Sequence, residues 1–476
     1  MHGREICGIA RSRPDNPCIS ALAIKLFPAL RSNSPRRRLW LAGSAMALFL
    51  VTLLIGNLCI PRDKAVTREM IGHDFLAFYT AGALVRQGQY RNLYNLDVVR
   101  DAEQSTAHTA GLEVGKSFGP WWNPPFYALP FAPLSRLPYP VALSVWRCIN
   151  LAALAGALAL LAWMVASSAG AGPGVWGLVP LLVLVSMPFV QALSHGQNTF
   201  TSLLLLAATV AVWRRGRGVW AGLIGGLLFY KPQLAAVVAA AMVIDLGPAA
   251  LVGLGVSGLS LLVLTVLILP ESLSDYVHQL PANVHWMQVE HAYLWERHVT
   301  LKAFWRLLLQ GRAAGEASAM VQALTDASLA ALVGLFAVVW WRLKRRREIA
   351  CEDRRVQRDR WIAATICAMP LLMPFYFDYD LLLLTIPATL YAAERVRRPE
   401  LHRHADTWLS SAWIVLFFWL FVNPAVGMHT HVNVTVILLS SVATMHVLRA
   451  GRREGSLAVG SADAHVGVAA LQRQAA

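Results

Sequence analysis

The stretch that decides the fold is Arg36-Arg37-Arg38-Leu39-Trp40-Leu41-Ala42-Gly43-Ser44-Ala45-Met46-Ala47-Leu48-Phe49-Leu50-Val51-Thr52-Leu53-Leu54-Ile55-Gly56-Asn57-Leu58-Cys59-Ile60. From Leu39 to Ile60 there is no charged residue, and the run has about the 20 residues that a helix needs to cross a bilayer core. The three arginines in front of it mark the cytoplasmic side, so this span exits outward.

The composition extends that reading to the whole chain. Of 476 residues 56% are hydrophobic and only 14% charged, too few charges to solvate the surface of a soluble domain. A net charge of +15 would suit nucleic acid, but the basic residues fall in short clusters between apolar runs and no binding motif is present, so no nucleic-acid partner is expected. The six cysteines show no CxxC or zinc spacing. Cys59 and Cys148 could meet at one membrane face as a disulfide or serve as small buried residues. Residues 1–38 read as a polar, basic cytoplasmic arm rather than a cleaved signal, and the first apolar run as a retained anchor.

Further apolar runs follow at roughly 140–166, 175–193, 198–213, 217–230, 232–246, 250–269, 322–342, 361–376, 379–394, 408–423 and 432–448. The expected fold is therefore an all-α polytopic membrane protein with about 12 transmembrane segments, the short pair at 217–246 being broken or re-entrant. Counting crossings puts Arg214-Arg215-Gly216-Arg217, Arg342 to Arg347, Glu394 to His404 and Arg449 to Arg453 inside. The outer side then receives Ser194 to Asn198, Tyr230 to Gln233, Phe377 to Asp380 and Asn423 to His431, together with two long segments, 61–138 and 270–321. This separation of basic from polar loops is what the positive-inside rule requires. The membrane domain spans 39–449, and 450–476 reads as a disordered cytoplasmic tail rich in Gly, Ala and Ser. The location that follows is the inner (plasma) membrane, with the chemistry facing the periplasm.

Within the first outer segment, Gly72-His73-Asp74-Phe75-Leu76-Ala77-Phe78-Tyr79-Thr80-Ala81-Gly82 sets an acid beside a histidine at the start of a helix. Phe75, Phe78, Tyr79, Gly82 and Val85 share one face, the pattern of an interfacial helix. Asp74 is either its N-cap or a functional acid at a membrane-interface pocket. Downstream, Trp121, Trp122, Asn123 and Phe126 could stack on a sugar or clamp a lipid chain, with Asn123 binding hydroxyls, or form an aromatic belt broken by prolines. His195, Gln197 and Asn198 suit a polar ligand, or a hydrated turn in which Asn198 caps the next helix. Lys231, before Pro232, could meet a phosphate or snorkel to the interface. His291, Glu296, Arg297 and His298 form a charged run, in which Arg297 and His298 could bind phosphate or face solvent. Asp378 and Asp380 form a DxD, better read as polar lining than as a metal site, and no metal or other cofactor is expected.

Taken in order, Asp74 with Tyr79 and Ala81, Leu93-Tyr94, Asn123-Pro124-Pro125, Pro133-Leu134, Trp146 with Asn150, Gly196-Gln197-Asn198, Ala221 to Gly226 and Lys231-Pro232 resemble the polyprenol-phosphate-mannose-dependent mannosyltransferases of glycosyltransferase family 87, membrane enzymes of the GT-C type. The resemblance covers about residues 72 to 240, and beyond that rests on hydropathy and topology. It implies a catalytic acid in the first outer loop, which maps onto Asp74.

Sidedness supplies a separate argument about substrate. An outer-face transferase has no cytosolic nucleotide sugars to draw on, so its donor should be a polyprenyl-phosphate sugar, with a glycolipid or glycan acceptor and membrane lipid as surroundings. Attack of an acceptor hydroxyl needs one base, and the leaving phosphate needs positive charge rather than an acid. The expected roles are Asp74 as base with His73 assisting; Lys231, Arg297 and His298 at the phosphate; and Tyr79, Trp122, Asn123, His195, Gln197 and Asn198 around sugar or acceptor. The transfer is expected to invert the anomeric centre without a metal. A glycolipid transporter and a non-catalytic scaffold are the alternatives.

Overall fold

A computed structural model describes residues 43–48, 51, 72–112, 118–166, 178–344, 351–397 and 404–451. The expected arm 1–38, most of the first span and the tail beyond 451 lie outside the described residues, as does Cys59, while Cys148 is an exposed free thiol. The regular elements described are helical, and the one β-like feature among them is an isolated antiparallel bridge between His298 and Phe377.

Three described helices are long and apolar enough to cross a membrane: Tyr139–Val165, Pro248–Ile268 and Ala319–Lys344. A fourth crossing results if Asp406–Trp419 and Asn423–Thr430, bent by 79°, are one span. Thr199–Trp213, Gly218–Tyr230, Pro232–Leu246 and Val434–Ala450 are apolar but shorter; 15 residues rise only about 22 Å, against about 30 Å of hydrocarbon. Among the described residues, length and composition support three spans, or four with the bent pair, and do not confirm the expected count of about 12. The run at 175–193 is two helices, Leu178–Leu184 and Met187–His195. They part at Ser186, whose hydroxyl caps the second by accepting from the Phe189 amide at 3.3 Å, with Pro188 in its first turn. The run at 379–394 opens as a 3₁₀ segment, Asp378–Leu384, before the helix Thr385–Arg397.

The sequence periodicity assigns His73–Arg86 (α1) one apolar face. In the fold Phe75, Leu76, Phe78, Thr80, Ala81, Gly82 and Leu84 are all buried, so α1 is enclosed on several sides. Phe78 stacks on Phe131 at 5.0 Å, and Phe131 meets Trp146 edge-on at 5.0 Å. Gly82 permits the approach, since a Cβ there would stand 2.4 Å from the Phe131 carbonyl carbon.

Polar groups gather in two layers separated by apolar helix. One holds Asp74, His195, Gln197, Lys231, Arg297, Asp378 and Asp380. The other joins Arg214 to Asp359 at 2.5 and 2.8 Å, Arg358 to Asp245 at 2.7 Å, Arg449 to Glu394 at 3.1 Å and to Asp406 at 2.9 Å, and Arg360 to Glu394. Thr199 and Arg214 bound a single helix, Thr199–Trp213, so the layers stand about 22 Å apart. The chain alternates between them: Gln197, Arg214, Lys231, Asp245, Arg297, Asp359, Asp378, Glu394.

Candidate functional site

Two glycines build the centre of the first layer. Gly72 and Gly196 both hold left-handed backbone, at φ 76° and 71°, a conformation that costs other L-residues about 1–2 kcal/mol. They also touch, for a Cβ on Gly196 would lie 3.6 Å from the Gly72 Cα and 2.9 Å from the Phe75 Cβ. The Gly72 amide donates to the Ser194 carbonyl at 2.6 Å. The Tyr139 hydroxyl donates to the Gly72 carbonyl and the Trp146 indole to the Gly196 carbonyl, each at 2.7 Å. Asp74, two residues beyond Gly72, is thereby brought against His195 and Gln197, which flank Gly196.

Gly72 occupies the N-cap position of α1, so Asp74 is not the cap. Its carboxylate lies in the first turn, where the helix dipole favours negative charge by about 0.3–1 kcal/mol. Oδ2 accepts from the Gln197 side-chain amide at 2.7 Å and lies 3.1 Å from His195 Nδ1. Burial alone would raise the Asp74 pKa. The His195 hydrogen bond and charge, the Gln197 bond and the nearby His73 outweigh burial and hold it at about 2, below its ordinary 3.8. The Asp74 side chain stays 31% exposed while His195 is 7% exposed, so a substrate can reach the carboxylate.

The 3₁₀ segment Asp378–Leu384 closes the centre from the opposite side. Tyr379 presents its ring edge to His195, centroids 6.2 Å apart. The acids beside it engage resident partners. Asp378 takes Arg297 Nη2 at 2.9 Å and Gln191 Nε2 at 3.0 Å. Asp380 takes Lys231 Nζ at 2.9 and 3.0 Å and the Thr199 hydroxyl at 2.8 Å. Both carboxylates are buried, so the pair underlies the site rather than lining an open cavity, and its oxygens already hold cations. Burial works to lower the Arg297 pKa, but Asp378 raises it on balance. The arrangement offers a reachable carboxylate, an imidazole fixed against it and a guanidinium within electrostatic reach of that carboxylate.

Residues 121–352 match the model of glycosyltransferase family 87. The match implies a membrane glycosyltransferase. No curated protein and no solved structure matches the chain. The family-87 stretch contains Trp122, Asn123, His195, Gln197, Asn198, Lys231, Arg297 and His298. His73, Asp74 and Tyr79 precede it, and Asp378 and Asp380 follow it. It overlaps the expected resemblance, about 72 to 240, from residue 121 onward and extends further toward the C-terminus.

Within the family-87 stretch the expected site residues divide. His195 and Gln197 meet Asp74. Asn198, fully buried, directs its amide to the Tyr127 hydroxyl at 2.9 Å and makes no side-chain cap to the helix it precedes. Lys231 breaks the backbone before Pro232 and is paired with Asp380. His298 is 1% exposed and sits among Phe377 at 4.0 Å and Tyr293 at 4.9 Å, with neither ring nitrogen hydrogen-bonded. Burial, and then the charges of Arg297 and Lys302, push its pKa down to about 3, and the ring packs in an aromatic cage. Trp122 and Asn123 are half-buried, and the Asn123 carbonyl accepts from Tyr94 at 2.7 Å. Outside the stretch, Tyr79 donates to the Leu137 carbonyl at 2.9 Å and acts as a structural tie.

Glu103, on the helix Leu96–Thr109 (α2), escapes the sequence reading. It is 1% exposed, accepts from the Gly119 amide at 2.9 Å and leaves Oε1 without a hydrogen-bond partner. Burial, with a smaller push from Asp74, raises its pKa to about 8 despite the Gly119 bond. The signal was available: Val99, Glu103 and Ala107 are the buried residues of α2 and recur every four positions, which puts an acid in the apolar stripe.

Proposed function

We propose that the protein is an integral membrane glycosyltransferase that moves a sugar, mannose or a related one, from a polyprenyl-phosphate donor to a glycolipid or glycan acceptor. Transfer takes place at the outer face of the cytoplasmic membrane, with inversion and without a metal. The observation that carries this reading is Asp74: a carboxylate held ionised by His195 and Gln197, reachable from solvent, and joined to a chain whose 121–352 matches family 87. Asp74 anchors the base that takes the acceptor hydroxyl's proton as the anomeric carbon is attacked.

Charge at the leaving phosphate is assigned to Arg297. Both cations bind both oxygens of a buried acid, Arg297 those of Asp378 and Lys231 those of Asp380, but Arg297 is 18% exposed against 7% for Lys231 and its five-donor fork has N–H groups left over for phosphate. Of the three expected phosphate partners, Arg297 is therefore retained, Lys231 becomes the brace of the Asp380 segment, and His298 a packing residue. The test is donor class. Purified protein is expected to glycosylate a membrane glycolipid acceptor from a polyprenyl-phosphate sugar and not from the corresponding nucleotide sugar; the reverse preference contradicts the proposal.

A further inference from the structure

Resting on that reading, we infer that the atom that takes the acceptor's proton is Nε2 of His195, and that Asp74 is the residue that positions and charges the imidazole. An ionised carboxylate has no hydrogen to offer, so the hydrogen in the 3.1 Å contact between Asp74 Oδ2 and His195 Nδ1 belongs to the imidazole. That fixes the tautomer with Nδ1–H toward Asp74 and the lone pair on Nε2, the logic by which an acid orients a histidine base in hydrolytic triads. Gln197 donates to the same Oδ2 at 2.7 Å and keeps the carboxylate from rotating away. The left-handed turns at Gly72 and Gly196 fix both backbones.

The competing acceptor is Asp74 Oδ1. The hydrogen bonds from His195 and Gln197 that make Asp74 a good anchor also favour its ionised form and so weaken it as a base. Asp74 from α1 and Tyr379 from the 3₁₀ segment face His195, and Asp378, next to Tyr379 in the chain, holds Gln191 and Arg297.

In the step, the acceptor O–H bond breaks and its proton goes to the Nε2 lone pair. The freed oxygen pair forms the new bond to the anomeric carbon, and the carbon–oxygen bond to phosphate breaks with its electrons leaving on the phosphate. The imidazolium, stabilised by Asp74, then releases its proton to solvent, restoring the neutral ring.

His195→Asn separates the two functions of the ring, because its amide can still donate to Asp74 from near the Nδ1 position but has no base at Nε2. The experiment measures transfer from a polyprenyl-phosphate sugar for wild type, His195→Asn and His195→Gln, alongside donor binding and thermal unfolding. His195→Asn should fold and bind donor like wild type and lose rate about 100- to 10,000-fold. An Asn variant within threefold of wild type overturns the inference while leaving the glycosyltransferase reading intact. A wild-type protein that makes no product with any polyprenyl-phosphate sugar refutes the reading itself, and the inference with it.

Discussion

Glu103 and the two paired cations give the residue scale its tests. The Glu103 carboxyl has a folded pKa of about 8 against 4.5 in a solvated chain. Below pH 4.5 both folded and unfolded states hold the proton, and pH has no purchase. Between about 4.5 and 8 only the unfolded state releases it, so stability falls as pH rises, by up to about 1.4 kcal/mol per unit. Glu103→Gln should raise the apparent Tm at pH 8 and flatten its dependence across that window; an unchanged slope would contradict the burial argument. The cations should separate. Each variant strands a buried acid, Asp378 or Asp380, and should lower stability, by up to about 3–5 kcal/mol. Only Arg297→Gln is expected also to weaken donor binding, about tenfold or more, as loss of a charge-assisted bond of about 1.5–3 kcal/mol implies. Equal effects of both variants on donor affinity would restore Lys231 to the phosphate. Asp74, His195 and Gln197 were legible as candidates from residue type and sidedness. That Asp378 and Asp380 are ion-pair partners was not, because Arg297 is 81 and Lys231 149 residues distant in sequence, and spacing says nothing about such contacts.

Among the elements, the helices Gly218–Gly226 and Pro248–Ile268 approach closely at their backbones. A Cβ on Gly222 would stand 2.2 Å from the Ala250 carbonyl oxygen, and one on Gly253 2.1 Å from that of Val219. Gly218, Gly222 and Gly226 recur every four residues along this seam, the small-residue spacing that lets membrane helices approach. Gly222→Ala should force the pair apart at a cost of about 1–3 kcal/mol. Gly255→Ala, with nothing within 4 Å, should be neutral or stabilising by about 0.5–1 kcal/mol. An equal gain of Tm in both would show that helix propensity and not packing decides. The small-residue run was visible in the sequence as part of the family resemblance, and the structure gives it a mechanical meaning. By contrast, α1 reads as a one-faced interfacial helix because periodicity reports one partner surface. Leu76 and Leu84 are buried by long-range packing that no local pattern encodes.

At the scale of the whole molecule, the membrane character and the alternation of basic and polar turns were legible, because apolar length and charge bias are composition-level signals. The number of crossings was not. Turns such as the one at Ser186 and the Lys231-Pro232 break divide apolar runs into helices shorter than the bilayer, and hydropathy cannot separate a short crossing from a re-entrant one. Reporter fusions after residues 100, 216 and 300 should read outside, inside and outside. An inside signal at residue 100 would put Asp74 on the cytosolic face and remove the argument for a lipid-linked donor. The claim on which all else depends is that Asp74 anchors the chemistry of sugar transfer. Its most direct test is to incubate purified wild type and Asp74→Asn with a panel of polyprenyl-phosphate sugars and glycolipid acceptors and to weigh the products. A new glycosylated product from wild type, reduced at least about 100-fold in the folded Asn variant, is the predicted result; equal product from both would contradict it.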